Sequence, residues 1–171
     1  MTVETFKIEV LPMKNKLYRF ALRMLRNVPE SEDVVQEVMI KLWVRKDKLS
    51  AYRSIEAFAM TVTKNLCLDR LKLKSNKTEE LTLRNERVTE KTPYVEMETN
   101  DTYKKIRELI NLLPEQQRMI IHLRDVEGYA FEEISEIMGL TENTIRVNLS
   151  RARKKIREEM IKKYSYEFTK N

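Results

Sequence analysis

A chain of 171 residues can hold one domain or two small ones, and only 2 glycines and 4 prolines against 35% charged residues leave little material for an all-β protein and much for amphipathic helices. The formal net charge of +6 is compatible with a polyanionic partner without demanding one, and the single cysteine, Cys67, excludes an internal disulfide. The start MTVETFKIEV lacks the basic and apolar regions of a secretory signal, and no apolar stretch approaches membrane-spanning length, so the expected compartment is cytoplasmic, without membrane insertion.

Helical spacing begins near Ile8, in Leu17, Phe20, Ala21, Met24 and Leu25. A second helix is predicted from about Ser31, after a break at Pro29, with Glu32 and Asp33 in the first turn where the helix dipole favours anions. Its buried stripe is Val34, Val35, Val38 and Leu42, which leaves Asp33, Gln36, Glu37 and Ile40 on other faces. A third helix is predicted over residues 54–74, carrying Ile55, Phe58, Ala59, Val62, Leu66 and Leu71 inward; Cys67 reads as a small buried hydrophobe. The pattern fails over residues 75–100, which are polar and broken at Pro93. Helical spacing returns in Ile106, Leu109, Ile110 and Leu113, stops at Pro114 and resumes through Met119, Ile120 and Leu123. The expected fold is all-α: two small helical domains, residues 8–74 and 101–163, joined by a flexible linker at 75–100.

The most informative segment follows. A short helix from Phe131 to Met138 buries Ile134 and Ile137, Gly139 supplies the left-handed conformation that ends it, Leu140 packs into the turn, and Thr141 caps a second helix. There Ile145, Leu149, Ala152 and Ile156 share one face. Arg146, Val147, Asn148, Ser150, Arg151, Arg153 and Lys154 are left outside. Between Thr144 and Arg157 the helix carries bases and no acid, whereas a merely solvated helix in so highly charged a chain mixes the signs. Such a helix-turn-helix suits entry into a DNA major groove, its early residues meeting base edges and its cations meeting phosphates.

The ordered series Leu113-Pro114, Gln117-Arg118, Leu123-Arg124, Glu127-Gly128-Tyr129, Glu133-Ile134, Gly139-Leu140, Thr144-Ile145-Arg146 and Ser150-Arg151-Ala152-Arg153 resembles region 4 of the sigma-70 family of transcription initiation factors. SEDVVQEVMIKLW resembles region 2.2, and SIEAFAMTVTKNLCLDRLKLKSNK resembles regions 2.3 and 2.4. The likeness covers nearly the whole chain, in the expected order, and points to the extracytoplasmic-function group.

The resemblance implies a sigma factor that binds bacterial core RNA polymerase, docking on the clamp of the largest subunit and the flap of the second-largest, and that directs it to promoter DNA. Asp33, Gln36, Glu37, Met39 and Trp43 become the polymerase contacts. Trp43, the only tryptophan, is either a core residue or an exposed anchor. Thr63, Lys64, Asn65, Asp69 and Arg70 become the minus-ten contacts, with Lys72, Lys74 and Lys77 screening phosphate and the loop at 45–53 walling a pocket for an unstacked base. Phe58 stands where many relatives have tryptophan and reads as core. Arg146, Val147, Asn148, Ser150, Arg151, Arg153 and Lys154 become the minus-thirty-five contacts, bases and phosphates not distinguished among them. The acidic stretch with Glu79, Glu80, Glu86, Glu90, Glu96 and Glu98 is either a lining for the polymerase interior or a plain tether. Many relatives are held inactive by an anti-sigma protein, which makes one a candidate partner.

No cofactor, metal site or catalytic centre is expected. Cys67 and His122 are the sole soft ligands and lie far apart, there is no glycine-rich phosphate loop, and Glu132, Glu133 and Glu136 read as a solvated face. The rival reading is an ordinary helix-turn-helix regulator, which would bind its duplex tightly without core polymerase.

Overall fold

The computed structural model describes residues 1–78 and 101–168, the side chains of the first stretch as far as residue 77 and those of the second as far as residue 165. They form two compact units, one on each side of the undescribed stretch. Every regular element among them is helical. The expected linker lies outside the described residues from residue 79 onward.

In the first unit α1 (Val3–Glu9) leads through a 3-10 turn at Leu11–Met13 into α2 (Lys14–Leu25), followed by α3 (Val28–Val44), a 3-10 segment at Lys46–Ala51 and α4 (Ile55–Thr78). Helices α2, α3 and α4 pack against one another around Leu17, Phe20, Met24, Val34, Val38, Leu42, Met60 and Cys67. Packing starts before residue 8, because Phe6 of α1 is buried. α3 starts earlier than the break at Pro29 suggests. The amide hydrogen that proline lacks has no intrahelical partner in a first turn, so Pro29 is accommodated there. Asn27 caps the helix by accepting the Glu30 N–H at 3.0 Å, and Arg26 ends α2 at φ 53°.

The inward face of α4 is rotated from the expected one. Ala57, Ala59, Met60, Thr63 and Cys67 are buried, whereas Ile55, Phe58, Val62, Leu66 and Leu71 are only half-buried. The buried face of α4 mixes small side chains with Met60, and the other large ones lie along its flanks. Phe58 is therefore not a core residue: it stacks on Tyr52 of the preceding loop, ring centroids 4.0 Å apart. Ser54 caps the helix through the Ala57 N–H at 3.1 Å, and nothing in LKLKSNKT breaks it at residue 74, so it reaches Thr78.

The second unit comprises α5 (Asp101–Asn111), α6 (Glu115–Ile121), a π-helical turn at His122–Val126, α7 (Phe131–Met138) and α8 (Glu142–Phe168). Pro114 is the N-cap of α6. In the π turn the Glu127 N–H reaches the His122 carbonyl at 3.0 Å, and the ring Nε2 of His122 lies 3.4 Å from Glu127 Oε1 with both side chains buried. α8 packs on α5, α6 and α7, so Ile145, Leu149 and Ala152 are buried beside Ile120, Leu123, Ile134 and Ile137.

Burial of Cys67 pushes its thiol up to about 12, because a thiolate there would lose its hydration. At pH 8 the native protein is therefore expected to react with a maleimide at least a hundredfold more slowly than the urea-unfolded chain, whose thiol has about the ordinary value of 8.5. Because the folded value is raised, stability is lost as pH rises above the unfolded value toward 12, which pH-dependent urea unfolding reads directly.

Candidate nucleic-acid interface

The turn between α7 and α8 is held by its own chain. Gly139 adopts φ 65° and ends α7 with its N–H on the Ser135 carbonyl at 2.9 Å, and the Ser135 hydroxyl donates to the Leu140 carbonyl. Thr141 then accepts the Thr144 N–H at 3.2 Å, opening α8. Glu133 Oε2 takes the Ala130 N–H at 2.8 Å at the start of α7. These contacts fix the angle at which α8 leaves the unit. With Ile145, Leu149 and Ala152 committed to the core, the opposite stripe must face water.

Arg146, Val147, Ser150, Arg151 and Lys154 lie exposed on α8, and Asn148, half-buried, donates its amide to the Thr144 carbonyl at 2.9 Å. Arg153 is different. Its Nε and Nη2 grip both carboxylate oxygens of Asp125, at 2.9 and 2.5 Å, tying α8 to the π turn. Arg153, also expected among the minus-thirty-five contacts, is engaged by a bidentate clasp inside the unit. Arg146 sits 3.3 Å from Glu142 and over the ring of Phe131, its Cζ 4.1 Å from the centroid.

In the first unit Asp33, Gln36 and Trp43 are exposed along α3, with Glu37 and Met39 half-buried. Trp43 is 39% exposed and packs edge-on against Phe6 at 5.1 Å, with Lys46 Nζ 4.9 Å from its ring, so it is neither core nor free. Ile40 at 63% and Val44 at 75% extend this stripe, giving α3 an apolar outer row. Neither was among the expected contacts; the available signal was an apolar residue falling off the buried stripe.

The expected minus-ten residues divide among three places. Thr63 is wholly buried and donates to the Ala59 carbonyl at 2.8 Å, so in this structure its side chain is part of the packing. Asn65 and Asp69 are exposed, and Lys72 continues their face one turn on. Arg70 and Lys74 turn toward α3, 3.7 Å from Glu37 and 2.7 Å from Glu30. Burial pulls the half-buried Lys64 ammonium below its ordinary value. Tyr52, 38% exposed and backed by Phe58, presents an aromatic in the 45–53 loop that the expected set did not include. Among the described residues no three histidine, cysteine or acidic side chains converge as a metal site, and no helix is long and apolar enough to cross a membrane.

Comparison with known proteins gives two matches to family models: Sigma-70 region 2 over residues 10–76 and Sigma-70, region 4 over residues 103–156. The chain is 28% identical over 160 residues to the ECF RNA polymerase sigma factor SigW of Bacillus subtilis, covering 86% of this chain and 84% of the relative. It is 26% identical to the probable RNA polymerase sigma factor RfaY of Xanthomonas campestris, covering 91% of this chain but only 40% of that longer protein. Among solved structures, its fold is similar to that of the sigma factor RpoE in a complex with the anti-sigma factor NepR from Bartonella quintana. The TM-score is 0.77 at 23% identity, over 91% of this chain and 96% of that one.

The Asp125–Arg153 clasp generates a stability prediction. Asp125→Ala and Arg153→Ala should each cost about 0.5–1 kcal/mol in urea unfolding, and the double variant no more than either alone. Arg151→Ala, outside the clasp, should leave stability within about 0.5 kcal/mol.

Proposed function

The chain belongs to the sigma-70 family, in its extracytoplasmic-function group, and from that membership we propose that it binds bacterial core RNA polymerase, directs it to specific promoters and promotes the DNA melting that starts transcription. The observation that carries the reading is one chain holding both family regions in order, each with an outward face: α3 and α4 in the first unit, α8 in the second. The partners are core polymerase and promoter DNA. The compartment is that of the polymerase, the cytoplasm, and the chain supplies recognition while the polymerase supplies the chemistry.

Residues 8–74 act as the clamp-docking and minus-ten domain, residues 101–163 as the minus-thirty-five domain, and residues 75–100 as the connection between them. On α3, Asp33, Gln36, Glu37, Met39, Ile40, Trp43 and Val44 meet the polymerase clamp; the apolar outer row supports this, because aromatic and apolar anchors ringed by polar groups are what a protein interface uses. Asn65, Asp69 and Lys72 meet unpaired minus-ten DNA, with Lys64 and Arg70 at the edge of that face and Tyr52 positioned for stacking on a base. Arg146, Val147, Asn148, Ser150, Arg151 and Lys154 meet the minus-thirty-five duplex. The solved RpoE similar to this chain was captured with an anti-sigma factor. An anti-sigma protein covering these faces is a further partner we propose for this chain.

Two outcomes test the proposal. Asp33→Lys combined with Gln36→Ala should weaken copurification with core polymerase tenfold or more while leaving the melting temperature nearly unchanged, because exposed substitutions seldom shift stability. Permanganate footprinting should show reactive thymines near the start site only when core polymerase and this protein are both present, and Asn65→Ala should reduce that melting more than it reduces closed-complex binding. Melting supported by a variant lacking residues 1–74 would overturn the assignment of the first unit.

A further inference from the structure

One aromatic side chain of the second unit is not explained by core packing. Phe131 opens α7 and is half-buried, and two guanidinium groups lie over its ring: Arg146 with Cζ 4.1 Å from the centroid, and Arg124 with Cζ 4.4 Å away. The two arginines are anchored differently. Arg124 donates from Nη1 to the Tyr129 carbonyl at 2.8 Å and so closes the loop between the π turn and α7. Arg146 stands on the outward stripe of α8, its Nη2 3.3 Å from Glu142.

An arginine on a solvated helix face gives up rotamer freedom when it grips a ligand, and prior restraint removes that cost from the binding step. A ring is well suited to supply the restraint. It attracts the cation through its π face yet offers no oxygen acceptor, so most of the guanidinium donors stay available. Phe131 also belongs to α7, the helix that the Gly139 and Thr141 caps hold against α8, so the arginine is referenced to the scaffold rather than to its own flexible stem.

We propose that Phe131 is a positioning residue for duplex recognition: its ring pre-orders Arg146 so that the guanidinium fork meets the edge of a guanine in the major groove. This rests on the reading of α8 as the recognition helix. It makes Arg146 a base-reading contact, and it makes the Arg124 side chain part of the same restraint without contacting DNA.

The probe is the duplex that wild-type protein with core polymerase selects from a library randomised upstream of the start site. Phe131→Leu keeps apolar bulk and removes the π face; it should weaken holoenzyme binding to that duplex roughly threefold to tenfold and relax discrimination at one guanine position. Phe131→Tyr should restore both. Arg146→Ala should weaken binding further, and adding Phe131→Leu to it should change nothing more, whereas Phe131→Leu and Arg151→Ala should combine additively. An equal loss from Phe131→Leu in the Arg146→Ala background, or failure of Phe131→Tyr to rescue, overturns the positioning role. If Arg146→Ala weakens binding but Phe131→Leu does not, the positioning role alone is wrong. If Arg146→Ala leaves binding unchanged, the reading of α8 fails with it.

Discussion

A helix that commits one stripe to a hydrophobic core has no freedom over what its opposite stripe faces, and both outward surfaces of this protein follow from that constraint. On α8 the burial of Ile145, Leu149 and Ala152 turns Arg146, Ser150 and Arg151 to solvent; on α3 the burial of Val34, Val38 and Leu42 does the same for Asp33, Gln36 and Ile40. Fully burying a valine, leucine or isoleucine is worth about 1.5–3 kcal/mol, whereas an exposed ion pair contributes at most about 1 kcal/mol. Core packing therefore sets the orientation of each surface, and surface charge adjusts it.

The charges of those surfaces are not idle in the free protein. Arg70 lies by Glu37, Lys74 by Glu30, Arg146 by Glu142, and Arg153 is clasped by Asp125. For the first three, a phosphate or a polymerase side chain shares the cation with a carboxylate that is already there, which favours partners offering several contacts at once over any single anion. The Glu37–Arg70 contact also joins the proposed polymerase face to the proposed minus-ten helix, so a group that engages Glu37 alters the surroundings of Arg70.

Most of the fold was legible because its signals are periodic and local. The helix-turn-helix could be read to within a residue or two: Gly139 needs a left-handed conformation, Thr141 is a cap, and Ile134, Ile137, Ile145 and Leu149 have helical spacing. Where the reading departed from the structure, the deciding information was tertiary. Pro29 looks like a break unless its place in a first turn is known. The rotation of α4 depends on how it packs against α2 and α3, so Phe58 looked like core though it is half-buried on Tyr52, and Thr63 looked available though it is buried. Short α1 has little periodicity to detect. Arg153 differs from Arg151 only through Asp125, a residue 28 positions away, and no spacing rule within α8 can find that pairing.

Whether both units act together with a polymerase on promoter DNA is tested most directly by run-off transcription. Purified core RNA polymerase, with and without this protein, is presented with candidate promoters. The expected result is a discrete transcript that requires the protein and disappears when either promoter element is scrambled. A protein that binds those duplexes tightly by itself while leaving core polymerase without a specific transcript would contradict it.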